Sequence, residues 1–457
     1  MARAFFGGVH PHDMKAATNE KAIEQLAPPA VVVIPMSMHF GAPCTPLVKA
    51  GDHVKVGQKI GEFHGLGAPI HASVSGTVKA VEPRPYSMGG NITSVVIEND
   101  MQDEVSEELQ APADPNALSV EEMVEIVKNA GIVGMGGATF PTHVKITSGI
   151  GKVNTVIING AECEPYITGD HRTMLERPEE IIGGAKFLAK MFGVDKVVIG
   201  VEDNKRNGID AMNKVIAEQK APVVVEPLRC RYPQGGEKQL CQAITGRQVP
   251  PGGLPADIGC AVFNINTTCA IYRALTTGMP VVRKIVTVSG SGVVEPKNLE
   301  CPIGTPVSSL LDACGGLKDG TYKLIAGGPM MGMAQYTADI SVAKGTGAIL
   351  AFCENEEKTV ENPQCIRCGK CVSVCPMHLE PLFMYQYASK GMVEELNDAH
   401  IMDCMECGAC SYICPARMHL THMFKTGKQL VKDKAAADRA AAEAKKKAEE
   451  AKEAAAK

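Results

Sequence analysis

The chain has 457 residues, 45% hydrophobic and 21% charged, with a formal net charge of −5. A mildly acidic chain offers no basic field to track a phosphate backbone, which excludes a nucleic-acid partner. The length exceeds what one core supports and predicts several domains, and 46 glycines with 29 prolines predict many turns.

Residues 1–39 read as a lead-in without a strong period, in which His10 and His12 fit a surface or interface better than a metal site. No basic-plus-apolar leader opens MARAFFGGVHPHDM, so a reducing compartment is expected for the 17 cysteines. The longest apolar run, APPAVVVIPMSM, is broken by prolines and too short to span a bilayer. Residues 40–100 predict an all-β domain of short Val-rich strands and glycine turns. Within it VKAGDHVKVGQKIGE and APIHASVSGTVKAVE resemble the halves of a biotinyl/lipoyl-type barrel-sandwich domain. No lysine lies between Lys59 and Lys79, so a carrier role is not expected and a structural module is.

Residues 101–117 are acidic and Pro/Ala-rich and predict a linker. Residues 118–281 predict an α/β domain. It starts with a helix capped by Ser119 and Glu122, with Met123, Val124 and Val127 on its apolar side and Gly131 at its end. NTVIING (154–160) and DKVVIGVED (195–203) predict buried strands, with a helix between them. Residues 282–352 predict a small β-rich module with one helix at PVSSLLDACGG and a glycine loop at GGPMMG. Residues 355–425 carry the cysteine motifs, and residues 426–457 predict a solvated helical tail with no large apolar side chain.

CIRCGKCVSVCP (365–376) and CMECGACSYICP (404–415) both follow C-x₂-C-x₂-C-x₃-C-P, the spacing that holds [4Fe–4S] cubes in bacterial ferredoxins. Zinc takes paired C-x₂₋₄-C knuckles and calls for neither the third cysteine nor the trailing proline. In two-cluster ferredoxins the last cysteine of each run ligates the other cube. That rule groups Cys365, Cys368 and Cys371 with Cys414, and Cys404, Cys407 and Cys410 with Cys375. The long, helix-patterned spacer 376–403 leaves the uncrossed pairing open. Of the remaining cysteines, Cys44, Cys230, Cys241, Cys260, Cys269, Cys301, Cys314 and Cys353 read as small core residues.

Cubes take one electron at a time and hydride donors give two, so a flavin is expected between them. The candidate site is GIVGMGGATFPTHVK (131–145), which is neither a Walker loop nor a Rossmann fingerprint. Its glycines allow backbone N–H groups to approach a phosphate or a flavin ring, with Lys145 as a cation and Phe140 as a stacking ring. Past the buried strands stand Asn159, Glu162 and Glu164, then Glu202 and Asp203, and later Asn264 and Asn266 in FNINTT. Strand ends of this kind are where α/β sheets bind ligands.

In this order, GMGGATFPTHVK, INGAECEPYITGDHR and the Asn-rich turn resemble the NADH- and FMN-binding subunit of respiratory complex I. FFGGVHP, the barrel, YPQGGEKQL, TGRQVPPGGLP, a β-grasp (SLBB-like) module and the double cluster extend the likeness. Together they resemble the C subunits of Rnf complexes, the ion-pumping ferredoxin:NAD⁺ oxidoreductases of bacteria, over about residues 5–420. The resemblance implies a multidomain fold: a barrel-sandwich β domain, an FMN/NADH-binding α/β domain, a β-grasp domain and a helical two-cluster ferredoxin domain. It implies that Gly134, Gly136, Gly137, Ala138 and Lys145 meet the flavin phosphate and ring, and that Asn159 and Asn264 (or Asn266) bind flavin. Phe140, Glu164 and Glu202 fall on the nicotinamide side.

Two departures stand out. Ala161 and Cys163 replace an acidic residue and a serine of the complex I pattern, and VPPGGLP replaces its aromatic-bearing loop. The implied activity is electron transfer between NAD(H), FMN and two [4Fe–4S] clusters, with no side-chain acid or base required. The implied setting is peripheral, on the cytoplasmic face of the membrane, beside membrane and iron–sulfur subunits of the complex, with ferredoxin reached indirectly. A soluble NADH-dependent reductase of the cobalamin-reductase kind is the alternative, and a ferredoxin-like electron wire is another.

Overall fold

Short valine and isoleucine runs broken by glycine turns pair antiparallel in the first hundred residues of this computed structural model. It describes residues 5–353, 360 and 362–456, and side chains as far as residue 447. The expected domain start at 355 lies outside the described residues, as do the first four residues of the lead-in and the last of the tail. After β1 (Ile23–Gln25), the chain builds β2 (Val31–Pro35), β3 (Thr45–Pro46), β4 (His53–Val54), β5 (Lys59–Glu62), β6 (Ile70–His71), β7 (Gly76–Pro85) and β8 (Asn91–Asn99). These form one sheet in the order β2-β8-β7-β4 and another in the order β3-β5-β6. Val32, Ile34, Ile60, Ile70, Val78 and Ile97 are buried in the shared core.

Two expectations are corrected by these strands. β2 lies inside the stretch read as a lead-in without a strong period. Its prolines do not break it because it is an edge strand, where a missing ladder donor costs little. The stretch read as a linker is docked in its first half: Val105 bridges Val56, and the Ser106 N–H donates to the Val56 carbonyl at 3.0 Å.

Ser119 caps α1 (Val120–Asn129) through the expected capping box, with Glu122 N–H to Ser119 Oγ at 3.2 Å and Ser119 N–H to Glu122 Oε2 at 2.7 Å. After α2 (Thr142–Gly149) come β9 (Thr155–Gly160), α3 (Gly169–Glu176), α4 (Pro178–Phe192), β10 (Val197–Glu202), α5 (Arg206–Gln219), β11 (Val223–Leu228), α6 (Glu237–Thr245), β12 (Cys260–Asn264) and α7 (Ile265–Thr277). The four strands are all parallel, in the order β11-β10-β9-β12. Helices cover both faces, which is why the strands read as near-continuous Val/Ile runs. The order reverses between β9 and β12, and that switch point opens a crevice at the carboxyl ends of those strands. α7 is drawn close to α4 by Gly183 and Gly184: a Cβ on Gly184 would stand 2.2 Å from the Thr268 carbonyl oxygen.

β13 (Arg283–Ser289), β14 (Lys297–Pro302), α8 (Val307–Ala313), β15 (Thr321–Ala326), β16 (Met333–Gln335) and β17 (Ala348–Cys353) follow. Their sheet has the order β1-β14-β13-β17-β15-β16, so the lead-in also supplies its edge strand. β1 is three residues long, too short to show a period.

Residues 10–357 form one compact unit, and Phe5–Val9 with Lys358–Lys457 form a second. The second unit contains α9 (Lys370–Ser373), α10 (Pro381–Lys390), α11 (Val393–Asp398), α12 (Ala409–Ile413) and α13 (Leu420–Ala456). Met384, Leu396, Ile401, Leu420, Phe424 and Val431 make its core. The segment at residues 5–9 joins that unit through Gly8 N–H to the Val374 carbonyl at 2.8 Å and through Phe6 stacked on His378 at 4.6 Å. The described side chains of α13 beyond Val431 are exposed, as the Ala/Lys/Glu pattern requires. No helix among the described residues is long and apolar enough to cross a membrane.

Candidate functional site

The glycine loop stands between α1 and α2 and closes on itself. Gly134 N–H donates to the Phe140 carbonyl at 2.9 Å, and Thr139 N–H donates to the Gly134 carbonyl at 3.1 Å. Three other elements pin it from outside. Met135 N–H donates to Thr267 Oγ1 on α7 at 2.9 Å, and Lys284 Nζ on β13 donates to the Met135 carbonyl at 3.1 Å. Phe40 N–H donates to the Thr139 carbonyl at 3.0 Å, and the Phe40 ring lies 6.0 Å from that of Phe140. Gly136, Gly137 and Ala138 stay exposed. Gly137 has φ +138°, yet a Cβ there would meet nothing within 4 Å. Glycine is needed for the backbone, and the space beside it is open to a ligand. A Cβ on Gly136 would come 3.2 Å from the Asn264 side chain, so the loop and the end of β12 are in contact.

Asn264 caps α7, accepting the Asn266 N–H at 2.9 Å. Its Nδ2 donates to Asp170 Oδ2 at 2.8 Å, and Asn266 Nδ2 donates to Asp170 Oδ1. Both asparagines weighed for the flavin therefore converge on one half-buried carboxylate of α3. Burial raises the Asp170 pKa and holds Lys284 down to about 8, while their mutual attraction opposes both shifts. Glu162 caps α3 in turn, taking Asp170 N–H at 2.7 Å and His171 N–H at 3.3 Å. Burial pushes its pKa up to about 7. Asn159 Nδ2 donates to the Gly235 carbonyl at 2.8 Å, laying the YPQGGE stretch on the end of β9.

The expected nicotinamide-side residues are placed less uniformly. Glu164 accepts Met330 N–H at 3.1 Å from the GGPMMG loop, and its Oε1 is buried with no hydrogen-bond partner among the described residues. Burial raises its pKa to about 7. Glu202 is committed to Lys205 at 2.7 Å, both nearly inaccessible, and is not free to meet a nucleotide in this arrangement. Lys145 is likewise engaged, by Glu237 at 2.7 Å and the Val262 carbonyl at 3.0 Å.

Asp170 and Thr267, inside motifs already quoted but not named, and Lys284, which carries no motif, join the site through contacts with distant chain segments.

These features fit FMN: open glycines at a switch point and the positive end of α7 beside them. When bound, FMN supplies the exchange between hydride and single electrons.

In the second unit one cavity is lined by Cys375, Cys404, Cys407 and Cys410 together with Met377, Leu379, Met384 and Phe424. Cys375 acts electrostatically on all three of the other thiols, whereas Cys371 feels Cys414 and Cys365. That grouping is the crossed one. Burial pushes the Cys407 and Cys410 thiols up to about 12. Among the described residues no three His, Cys, Asp or Glu side chains converge on a position for a single metal ion. The two sets differ in exposure: Cys365 and Cys368 are exposed, whereas Cys375, Cys407 and Cys410 are buried. All 17 cysteines are free, and six of the eight expected core cysteines are buried, with Cys230 and Cys353 half-buried.

A parallel sheet with a glycine-loop crevice at its switch point, on a chain that also holds two four-thiol sets, defines an iron–sulfur flavoprotein of the complex I type. Family models agree: an RnfC barrel sandwich hybrid domain over residues 3–102, a Nuo51 FMN-binding domain over 127–273, an SLBB domain over 285–334 and a 4Fe-4S dicluster domain over 357–415. The chain is 45% identical to the C subunit of the Na⁺-translocating ferredoxin:NAD⁺ oxidoreductase complex of Acetobacterium woodii, covering 87% of this chain and 90% of the relative. It is 43% identical to the C subunit of the proton-translocating complex of Clostridium ljungdahlii, covering 88% of each. To the C subunit of the ion-translocating oxidoreductase complex of Rhodobacter capsulatus it is 41% identical, over 82% of this chain and 73% of that one. The chain belongs to this family, the C subunits of ion-translocating ferredoxin:NAD⁺ oxidoreductase complexes.

Proposed function

We propose that this chain is the NAD(H)-handling electron-transfer subunit of such a complex, passing electrons between NAD(H), FMN and two [4Fe–4S] clusters. The observation that carries the reading is the exposed glycine loop against Asn264 at the sheet's switch point, in a chain where Cys375 lines one cavity with Cys404, Cys407 and Cys410 of the other motif. The cobalamin-reductase alternative is not favoured, because the relatives are named as subunits of the ion-translocating complex over most of this chain.

The protein's share of the chemistry is placement. Gly134, Gly136, Gly137 and Ala138 present main chain to the flavin, and Asn159 and Asn264 orient it. Phe140, Glu162 and Glu164 shape the nicotinamide side, with Lys145 and Glu202 free to join once their present partners are exchanged. The partners are the membrane and iron–sulfur subunits of the complex, with ferredoxin reached through them, and the chain sits peripherally at the cytoplasmic face. Anaerobic reconstitution with iron, sulfide and FMN followed by NADH titration tests the whole reading. Flavin bleaching with reduced-cluster EPR signals is the expected result. Bound zinc, or no bound flavin, overturns it.

A pH dependence follows from Glu164. Its carboxyl is neutral below about pH 7 and ionises above it, which adds negative charge where an anionic dinucleotide must bind. The KM for NADH is expected to rise about tenfold between pH ~6 and ~8. Glu164→Gln is expected to flatten that rise, measured as KM against pH. A wild-type profile already flat over this range counts against Glu164 facing the dinucleotide.

A further inference from the structure

The strand-end loop 161–168 carries Glu162 and Glu164, and its second half is irregular. Pro165 has no N–H to give, and Tyr166 holds φ +68°. Its first main-chain donors bond locally, Glu162 N–H to the Gly160 carbonyl at 3.1 Å and Cys163 N–H to the Ala161 carbonyl at 3.0 Å, but two later ones look outward: Tyr166 N–H donates to the Asp13 carbonyl at 2.8 Å, and Thr168 N–H to Thr287 Oγ1 at 3.2 Å. Its carbonyls converge instead. Those of Glu162, at 2.9 Å, Glu164, at 3.0 Å, and Ile167 all accept from the single ammonium of Lys15. Lys15 is 6% exposed, and its three donors meet three acceptors.

We propose that Lys15, from the amino-terminal segment, is a positioning residue of the flavin and nicotinamide site. Its ammonium acts as an internal cation that gathers three carbonyls and fixes the loop bearing Glu162 and Glu164. Removing it leaves three carbonyls without their shared donor and lets the turn reopen away from the crevice. A planar guanidinium does not reproduce three donors on one compact centre, so arginine is a poor substitute. The inference rests on the flavin reading above, and the experiment separates the two.

Full-length protein with reconstituted clusters and its flavin stripped is titrated with FMN, following quenching of FMN fluorescence. The proteins are wild type, Lys15→Ala, Lys15→Met and Lys15→Gln, each with and without propylammonium, the fragment that Lys15→Ala deletes. Lys15→Ala is expected to weaken FMN binding at least about tenfold, and propylammonium to restore most of the loss. Lys15→Met, which fills the channel without charge, is expected to be as weak and not to be rescued. If Lys15→Ala does not fold, Lys15→Gln carries the test, with weakened FMN binding beside unchanged cluster EPR as the expected result. Wild-type affinity in a folded Lys15 variant, a lowered melting temperature with FMN binding intact, or rescue of Lys15→Met equal to that of Lys15→Ala overturns the inference. A wild-type protein that binds no FMN overturns the flavin reading instead.

Discussion

Cys375→Ser is expected to abolish the EPR signal of the cluster held by the other cysteine motif and to leave that of its own motif in place. Cys375 belongs by sequence to the run that starts at Cys365, but it lines the same cavity as Cys404, Cys407 and Cys410. A cube missing one thiolate is left with an iron open to solvent or to a weaker oxygen ligand, and half of the protein's iron is expected to be lost or labile. Cys414→Ser is expected to give the mirror result, removing the cluster of Cys365, Cys368 and Cys371. Iron analysis with EPR on each variant, against Cys368→Ser and Cys407→Ser as references for the two signals, decides the matter. Loss of the signal shared with Cys368→Ser in Cys375→Ser establishes the uncrossed pairing instead.

Asp170→Ala is expected to cost about a hundredfold in FMN affinity while the cluster signals persist. Asp170 gathers Asn264 and Asn266 at the amino end of α7 and faces buried Lys284, whose own ammonium holds the Met135 carbonyl of the glycine loop. Two charge-assisted hydrogen bonds vanish together, each worth about 1.5–3 kcal/mol, and both asparagines lose their orientation. Asp170→Asn keeps the shape but presents an amide where two amide donors converge, so it is expected to fall between wild type and alanine. FMN fluorescence titration measures all three. Equal affinities in wild type and Asp170→Ala would show that the asparagines hold their places unaided.

How much of this was readable from sequence depends on how local each signal is. The Ser119/Glu122 cap, the buried strands of the α/β domain and the cysteine spacings are written within a few residues, and the structure contains all of them. The glycine loop and Asn264 could be named as site residues because motif and strand end are both local features. β2 was hidden by flanking prolines that count against a central strand but not an edge one. β1 was hidden by its brevity and by partners some 275 residues away, as the Ile23–Asn298 pairing shows. Glu202 was readable as a strand-end carboxylate, but its neighbour three residues on, Lys205, has already taken it.

The amino-terminal segment has a consequence for biosynthesis. Asp13, Lys15, Thr18 and β1 find their partners at residues 162–168 and at β14, up to Glu300. This stretch leaves the ribosome before those partners do, and it waits for β14 to emerge before it can settle. The flavin crevice is completed late, and a nascent chain halted before β14 emerges would carry a formed parallel sheet with an unfinished rim.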